Sequence, residues 1–278
     1  HTPTFTPNAC EGTTDLFEVR YFDTKAYLTQ NGQLYLEALA MALGRVYDFN
    51  QNFRAEKSKT RRHLTEFWSV NPEAAFMTHE ESMTLQEGLV VAIVRAALTR
   101  CAKELTLLER NVNALQPVTE GNFPRLRYHD AVAELKKLGS DMKVGDDFGA
   151  DDETLLTKQY DRPIFVERWP KTIKPFYMKK DPANRKLVLN DDLLAPEGYG
   201  EIIGGSQRED DFETLKNNIL AAGLPVDVFG WYLDLRKYGS VPHSGFGIGI
   251  ERTVAWLTGT RHVRETTAFP RMLNRIEP

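Results

Sequence analysis

The most constraining feature of the sequence is a strict alternation over residues 46–56, VYDFNQNFRAE. One set of alternate positions is mostly aromatic, and the other is wholly polar or charged. A period of two with one polar face predicts a β-strand whose second side meets something polar. A basic segment, KSKTRRH (57–63), and a second strand candidate, LTEFWSV (64–70), follow. The pattern therefore predicts an antiparallel hairpin with a long charged loop. The polar set is Asp48, Asn50, Asn52, Arg54 and Glu56.

Other segments predict helices among mainly antiparallel strands. Residues 31–44 (NGQLYLEALAMALG) have helical spacing and end at Gly44, which suits a C-terminal cap. Residues 80–110 predict a long helix. No regular β-α-β rhythm is present, so we predict an α/β (α+β) fold with a mainly antiparallel sheet flanked by helices. We expect the buried stripe of the long helix to be Leu85, Leu89, Ile93, Ala96 and Ala97.

Composition excludes several classes of function. The 278 residues are 41% hydrophobic and 27% charged, as in ordinary globular proteins. No uninterrupted apolar run approaches the ~20 residues that span a bilayer, so we expect no membrane association. A net charge of −4 argues against a basic surface coat for nucleic acid, but it leaves room for a local basic patch such as residues 57–63. Cys10 and Cys101 are too few for a disulfide framework, which favours a cytoplasmic location.

A glycine alternation near the C-terminus predicts a close approach to the backbone. Gly245, Gly247 and Gly249 share one face of a strand candidate, and Arg252 follows in the first turn of a helix. Helix dipole and guanidinium both favour an anion at such a place. A glycine-rich packing contact with a surface arginine is the alternative. The pattern is not GxGxxG, so we do not predict a dinucleotide fold.

Three separate segments each offer an arginine to an anion, namely Arg54, Arg208 and Arg252. Arginines with interspersed acids suit a polyanion with a divalent metal, although an exposed edge strand would explain the charges near Arg54 equally well. Glu201 and Arg208 are seven positions apart, so strict alternation puts them on opposite faces. Both can face one ligand only if Gly204–Gly205 forms a bulge, which two adjacent glycines favour. The accompanying carboxylates are Glu56, Glu201 or Glu209, and Glu251.

Five stretches of the sequence carry a family resemblance. FRAEKSKTRRHLTEF resembles motif 2 of the class II aminoacyl-tRNA synthetases in its asparaginyl version, and GFGIGIERTVAW resembles motif 3. GEIIGGSQRE and TPNACEGTTDLF are similar to further blocks, and HTPTFTP resembles the tail of motif 1. The resemblance implies a class II synthetase fold, with 1–278 as one catalytic domain. It also implies a homodimer, and we expect the N-terminal anticodon-binding domain and most of motif 1 to be absent.

The resemblance further implies an ATP site with Mg²⁺. Arg54 and Arg252 are the implied catalytic residues: Arg54 holds the α-phosphate, and Arg252 lies under the base near the γ-phosphate. Glu56 and Phe67 frame the adenine. The loop 57–63 would meet the acceptor end of tRNA. The implied ATP-binding set is Arg54, Glu56, His63, Phe67, Glu201, Gly249 and Arg252, and the implied metal ligands are Glu201 and Ser206.

Asparagine is the amino acid that the resemblance implies. Leu36 stands where related aspartyl enzymes carry a lysine, and Glu37 follows it. An added anion in place of a cation disfavours aspartate, so we expect Glu37 to accept from the asparagine amide while Arg208 donates to its oxygen. A solvated helix residue is the alternative for Glu37. The implied amino-acid-binding set is Glu11, Gln33, Glu37, Arg208 and Asn71.

Two departures and two alternative functions accompany this interpretation. Asn71 stands where the family usually carries an acid, and Asn31 replaces a common serine. The predicted activity is ATP-dependent activation of asparagine and its transfer to tRNA. A synthetase-derived asparagine synthetase that amidates aspartate is one alternative, and Leu36 with Glu37 speaks against it. A non-catalytic binding module is the other, favoured by Asn71 and opposed by Arg54, Glu56 and Arg252.

Overall fold

The fold is built on two sheets. The computed structural model describes residues 1–10 and 15–277. Strands β1, β2 and β3 form a small antiparallel sheet in the order β1-β3-β2, and seven further strands form a large sheet in the order β4-β5-β10-β9-β8-β7-β6. The strand bounds are β1 Phe5–Thr6, β2 Glu18–Tyr21, β3 Thr24–Leu28, β4 Arg45–Phe53, β5 Glu66–Ala75, β6 Arg125–Arg127, β7 Ile164–Glu167, β8 Asn190–Ala195, β9 Gly200–Gln207 and β10 His243–Gly249.

Helices flank the large sheet, in which β6–β7 is the one parallel pair among the described strands. The predicted class, a mainly antiparallel sheet flanked by helices, is confirmed. The helix bounds are α1 Gln33–Leu43, α2 His79–Arg100, α3 Ala102–Leu107, α4 Tyr128–Lys137, α5 Ala150–Thr157, α6 Phe212–Ala221, α7 Gly230–Lys237 and α8 Ile250–Thr258.

The predicted hairpin is the pair β4–β5, with a register that runs from Arg45↔Ala74 to Phe53↔Glu66. The polar face of β4 is the buried one: Asp48 is 2% exposed, whereas Tyr47 on the other face is 72% exposed. The alternation was therefore interpreted correctly. Asn52 on this face lines a cavity, whereas Asp48 and Asn50 are buried against Thr2, to which both are hydrogen-bonded.

A bulge in β9 puts Glu201 and Arg208 on one face. Leu193 on β8 pairs with Ile203, but the next residue, Leu194, pairs with Glu201. The extra residue is Ile202, which reverses the alternation between the two halves of the strand. A bulge was predicted correctly, but its predicted place at Gly204–Gly205 was wrong.

The buried stripe of α2 differs from the predicted one. Thr78 and Glu81 form a capping box at its start, and the helix ends at Arg100 rather than near residue 110. Leu85 is 47% exposed, so its predicted burial was wrong. Apolar residues occupy two neighbouring faces of this helix, and periodicity alone does not choose between them. The buried stripe is Met83, Gln86, Val90 and Val94, with Leu89, Ile93 and Ala97 partly buried beside it.

Helix α2 is also long and apolar enough to cross a membrane, by length and composition alone. This differs from the expectation drawn from the sequence, in which charged and polar residues interrupt each apolar run. The helix packs through Met83, Val90 and Val94 into the main core cluster, together with Phe165 of β7 and Ile203 of β9. A core helix passes the same test, so the observation is weak evidence for a membrane span.

The rotated stripe of α2 predicts a difference between two alanine substitutions. Met83→Ala empties a buried site and should lower the free energy of unfolding by about 2–4 kcal/mol. Leu85→Ala removes a half-exposed side chain and should change it by less than about 0.5 kcal/mol. Urea unfolding of both variants measures the two values. A larger loss for Leu85→Ala would contradict the assigned stripe.

Candidate active site

A cavity of about 690 Å³ lies on the polar face of the large sheet. Strands β4, β5, β10 and β9 form its floor, and the segment after β4, the segment around residues 147–153 and the start of α8 form its walls. The predicted residues that line it are Gln33, Arg54, Glu56, His63, Phe67, Asn71, Glu201, Arg208, Gly249 and Arg252.

Arginines concentrate at one end of the cavity. The guanidinium carbon of Arg54 lies 5.6 Å from the centre of the Phe67 ring. Arg252 donates from Nη1 to Glu201 Oε2 at 2.9 Å and from Nε to the Arg62 carbonyl at 3.3 Å. Arg62 also lines this end. Several fixed guanidinium groups in a concave site are suited to a phosphorylated ligand.

Two polar atoms in the same wall lack a hydrogen-bond partner among the described residues. They are Glu56 Oε2 and His63 Nε2, and both are buried. Burial lowers the pKa of His63 below its usual value, so the ring is neutral near pH 7. Buried polar atoms without partners are costly, and a bound ligand relieves that cost. With the Phe67 ring beside them, they suit a flat heterocycle that has polar edges.

An acidic pair faces the arginines. Asp192 of β8 pairs with Lys174 Nζ at 2.7 Å. Burial, reinforced by Glu201, raises the pKa of Asp192 to about 7, although Lys174 opposes the shift. Burial would also raise the pKa of Glu201, but Arg252 and Lys174 outweigh it and the pKa is lowered. Carboxylate oxygens from two adjacent strands form a donor set that fits Mg²⁺.

The other end of the cavity contains a buried ion pair. Arg208 donates from Nε and Nη2 to the two carboxylate oxygens of Glu73, at 3.1 and 2.9 Å. Burial disfavours the charged guanidinium, but Glu73 outweighs it and raises the pKa of Arg208. The Tyr177 ring lies 5.4 Å from the same guanidinium. This end therefore offers fixed donors and acceptors with little net charge.

Glu37 does not line the cavity, which corrects its predicted role as an acceptor for the substrate amide. It is fully buried and accepts from Tyr232 at 2.8 Å, from Gln33 at 3.1 Å and from Arg236. Its Oε2 also lies 2.9 Å from His243 Nε2. Burial would raise the pKa of Glu37, but Arg236 and His243 hold it well below its usual range. Glu37, which follows Leu36 in α1, therefore lies behind the pocket and does not face it.

Glu37 also belongs to a candidate cation cluster. Ligand atoms of Glu37, Glu73 and His243 lie within 4.8 Å of one another. Arg236 and Arg208 already pair with the two carboxylates. The local charge is therefore balanced without an ion.

The glycines of β10 make room for the floor of the cavity. A Cβ atom at Gly245 would lie 1.9 Å from Glu73 Oε2, and one at Gly247 would lie 2.7 Å from Asn71 Oδ1. A Cβ atom at Gly249 meets no atom closer than 3.9 Å. Gly245 and Gly247 thus accommodate the protein's own side chains. Gly249 leaves open space beside Arg252.

A family model described as tRNA synthetases class II (D, K and N) matches residues 1–273. The chain belongs to this family.

Two relatives and two solved structures agree with that assignment. An asparagine–tRNA ligase of Thermus thermophilus is 58% identical over 283 residues, which cover 99% of this chain and 65% of that protein. One of Sorangium cellulosum is 54% identical over 99% of this chain and 64% of its own length. Asparaginyl-tRNA synthetase from Pyrococcus horikoshii, complexed with asparaginyl-adenylate, is 48% identical with a TM-score of 0.98, covering all of this chain and 64% of that one. A putative aspartyl-tRNA synthetase from Leishmania major is 26% identical with a TM-score of 0.85, covering all of this chain and 61% of that one.

Two of the predicted site residues of this class II chain do not line the cavity, and a third lies outside the described residues. Ser206 is fully buried and accepts from Arg208 Nη1 at 2.6 Å, so the structure gives it a place beneath Arg208 rather than at a metal. Glu37 lies behind the pocket, as described above. Glu11 falls in the segment that the structure does not describe.

Two of the three arginines form ion pairs with acids other than the ones that accompany them in the sequence. Arg208 pairs with Glu73 instead of Glu201 or Glu209. Arg252 pairs with Glu201, whereas Glu251 accepts from the Trp68 backbone N–H at 3.1 Å. These partners come from other strands, so sequence neighbourhood does not identify them.

Glu73 and Asp192 are among the site residues that were missed in the sequence. Glu73 continues the alternation Phe67, Ser69, Asn71 on β5, and extending that face by two positions would have found it. Asp192 gave no such signal, because its place beside Glu201 depends on the bulge in β9.

The basic loop 57–63 of this class II chain is only partly solvated. Arg62 pairs with Glu153 at 2.5 Å and donates to the Gly198 carbonyl at 2.6 Å. Lys57 and Lys59 are exposed. The loop is thus anchored at its C-terminal end and presents cations at its N-terminal end.

The raised pKa of Asp192 predicts a pH dependence of stability. Because the folded pKa of about 7 exceeds the ordinary aspartate value of 3.8, the contribution of Asp192 to stability is full below about pH 4 and is lost as the pH rises through 7. Asp192→Asn removes this titration, so its melting temperature should fall less than that of the wild type between pH 5 and pH 8. The difference corresponds to on the order of 1 kcal/mol.

Thermal unfolding without added divalent cations measures this difference. Asp130→Asn, an exposed change in the first turn of α4, is the control and should leave the pH dependence unchanged. Parallel curves for the wild type and Asp192→Asn would contradict the assignment.

Proposed function

We propose that this chain is the catalytic part of an asparagine–tRNA ligase. It would activate asparagine with ATP, releasing pyrophosphate, and then transfer the asparaginyl group to tRNA. The buried Arg208–Glu73 pair carries the proposal, because it presents donor and acceptor groups to a neutral amide. The chain spans 65% of the length of its Thermus relative.

The arginine end of the cavity suits ATP. We assign the α-phosphate to Arg54, the distal phosphates to Arg252, and the adenine to Phe67 with Glu56 and His63. Attack of the substrate carboxylate on the α-phosphate needs alignment and charge stabilisation, and fixed guanidinium groups supply both. Mg²⁺, held by Glu201 and Asp192, would neutralise further phosphate charge when bound.

The opposite end suits asparagine over aspartate. Arg208 alone would favour a carboxylate, but Glu73 offsets its charge and repels a second anion. The amide oxygen of asparagine would accept from Arg208, and its nitrogen would donate to Glu73. This arrangement opposes the alternative of an asparagine synthetase that binds aspartate. Arg54, Glu56 and Arg252 all line the cavity, which opposes a non-catalytic module.

Three further proposals concern the partners and the setting. The exposed Lys57 and Lys59 would contact phosphates of the tRNA acceptor end. Tyr47 is 72% exposed, and Phe49 stacks on Trp68 at 5.0 Å on the outer face of the hairpin, which suits the interface of a homodimer. The two free cysteines favour the cytoplasm.

Pyrophosphate exchange tests the proposed activity. The wild-type protein should exchange label into ATP with asparagine and not with aspartate. Arg54→Ala should lower the rate by about a hundredfold or more, because it removes a positive group at the reacting phosphate. Exchange with aspartate alone would contradict the assignment, and exchange with neither amino acid would favour a binding module.

Glu73→Gln tests the basis of amino-acid choice. It removes the charge that offsets Arg208, so the preference of kcat/KM for asparagine over aspartate should narrow by about tenfold or more. The ratio is informative because a loss of folded protein lowers both values equally. Glu134→Gln removes an acid bonded to Tyr160 outside the cavity and should leave the ratio unchanged. An unaltered ratio in Glu73→Gln would contradict the role of Glu73.

A further inference from the structure

A buried carboxylate lies directly behind the cavity floor, and the proposed mechanism does not use it. Asp48 is 2% exposed and is the direct cross-strand partner of Asn71 in the β4–β5 hairpin. Its Oδ1 accepts from Asn71 Nδ2 at 2.6 Å, and its Oδ2 accepts from Thr2 Oγ1 at 2.7 Å. Asn50 donates in turn to Thr2 Oγ1 at 2.8 Å. One side chain, that of Asn71, separates this charge from the cavity.

Asp48 fixes the orientation of the Asn71 amide. A carboxylate can only accept, so the Asn71 nitrogen must face Asp48 and its oxygen must face away. The oxygen lies over Gly247, where a Cβ atom would be 2.7 Å from it. Ser69 Oγ donates to the same oxygen at 3.1 Å and accepts from Asn71 Nδ2 at 2.9 Å. The cavity therefore meets an oriented acceptor with a negative charge behind it.

The space around Asp48 is shaped for this arrangement. A Cβ atom at Gly32 would lie 1.9 Å from Asp48 Oδ2 and 2.3 Å from Thr2 Oγ1. Four segments converge here: the N-terminal residues, the turn before α1, β4 and β5. A glycine at position 32 is needed so that the carboxylate and the threonine hydroxyl can meet.

The place of Asn71 fits a cationic part of the substrate. Asn71 and Glu73 face the same side of β5 and are about 7 Å apart along the strand. Glu73 is engaged by Arg208, where the side-chain amide of the substrate would bind. The α-ammonium of the same amino acid has three donors and favours an acceptor in a negative potential.

We propose that Asp48 is a positioning residue for the α-ammonium group of the amino-acid substrate, acting through the oriented oxygen of Asn71. This inference rests on the proposed function. It also accounts for the neutral residue at position 71. A carboxylate is still present at this place, but it is Asp48 of β4 rather than the residue at position 71 of β5.

Asp48→Asn is the first test. The substitution removes the charge and lets the Asn71 amide reverse, so the KM for asparagine in pyrophosphate exchange should rise about tenfold. The kcat and the KM for ATP should stay near their wild-type values. Asp181→Asn is the matched control, because Asp181 is also a buried aspartate and pairs with Arg168 outside the cavity. It should leave the KM for asparagine unchanged.

A swap and a ligand comparison separate this role from a purely structural one. The double variant Asp48→Asn/Asn71→Asp returns the charge to the strand pair, and its KM for asparagine should come within about threefold of the wild type. Succinamate is asparagine without the ammonium group. Asp48→Asn should weaken the binding of asparagine and leave competitive inhibition by succinamate unchanged. Asn71→Ala gives the same comparison if Asp48→Asn does not fold.

Each outcome has a defined meaning. An unchanged KM for asparagine in Asp48→Asn, equal losses for asparagine and succinamate, or a double variant no better than the single one would overturn the proposal. A wild-type protein that activates no asparagine would instead remove the proposed function, and this inference with it. Activity in the wild type with a normal KM in Asp48→Asn would remove the inference alone.

Discussion

The buried ion pair between Arg208 and Glu73 is the interaction around which one end of the cavity is organised. Taking two charges out of water costs several kcal/mol for each, and their attraction repays this cost only with good geometry and further hydrogen bonds. The fold supplies both. The pair is bidentate, Ser206 accepts from the remaining guanidinium nitrogen, and Gly245 leaves the space that the Glu73 carboxylate occupies.

A second buried layer supports this pair. Glu37 is held by Arg236, Tyr232 and Gln33, and its carboxylate lies within 4.8 Å of ligand atoms of Glu73 and His243. Two acids and two arginines so close together balance their charges as a set. Removing one member would leave an uncompensated charge, which is far more costly than losing an exposed ion pair. The pocket end is therefore rigid for electrostatic reasons as well as for packing reasons.

The sequence predicted those features that depend on local periodicity. The two faces of the β4–β5 hairpin, the alternation of glycines on β10 and the need for a bulge in β9 all follow from a period of two. The sequence did not predict the features that depend on contacts between segments far apart in the chain. The choice of stripe on α2 depends on which face the sheet covers, and Glu37 turns away from the pocket because Arg236, 199 positions later, binds it. Glu73 was missed although the same alternation pointed to it.

The single extra residue in β9 has a consequence for how this molecule can vary. Ile202 reverses the phase of the strand, so Glu201 serves the arginine end of the cavity while Arg208 serves the other end. In a regular strand Glu201 and Arg208, seven positions apart, would lie on opposite faces. The one extra residue of the bulge brings them to the same face. Side chains between them can be exchanged with little effect on this relation. An insertion or deletion of one residue would instead turn one end of the site into the core, so the length of this segment is constrained more tightly than its composition.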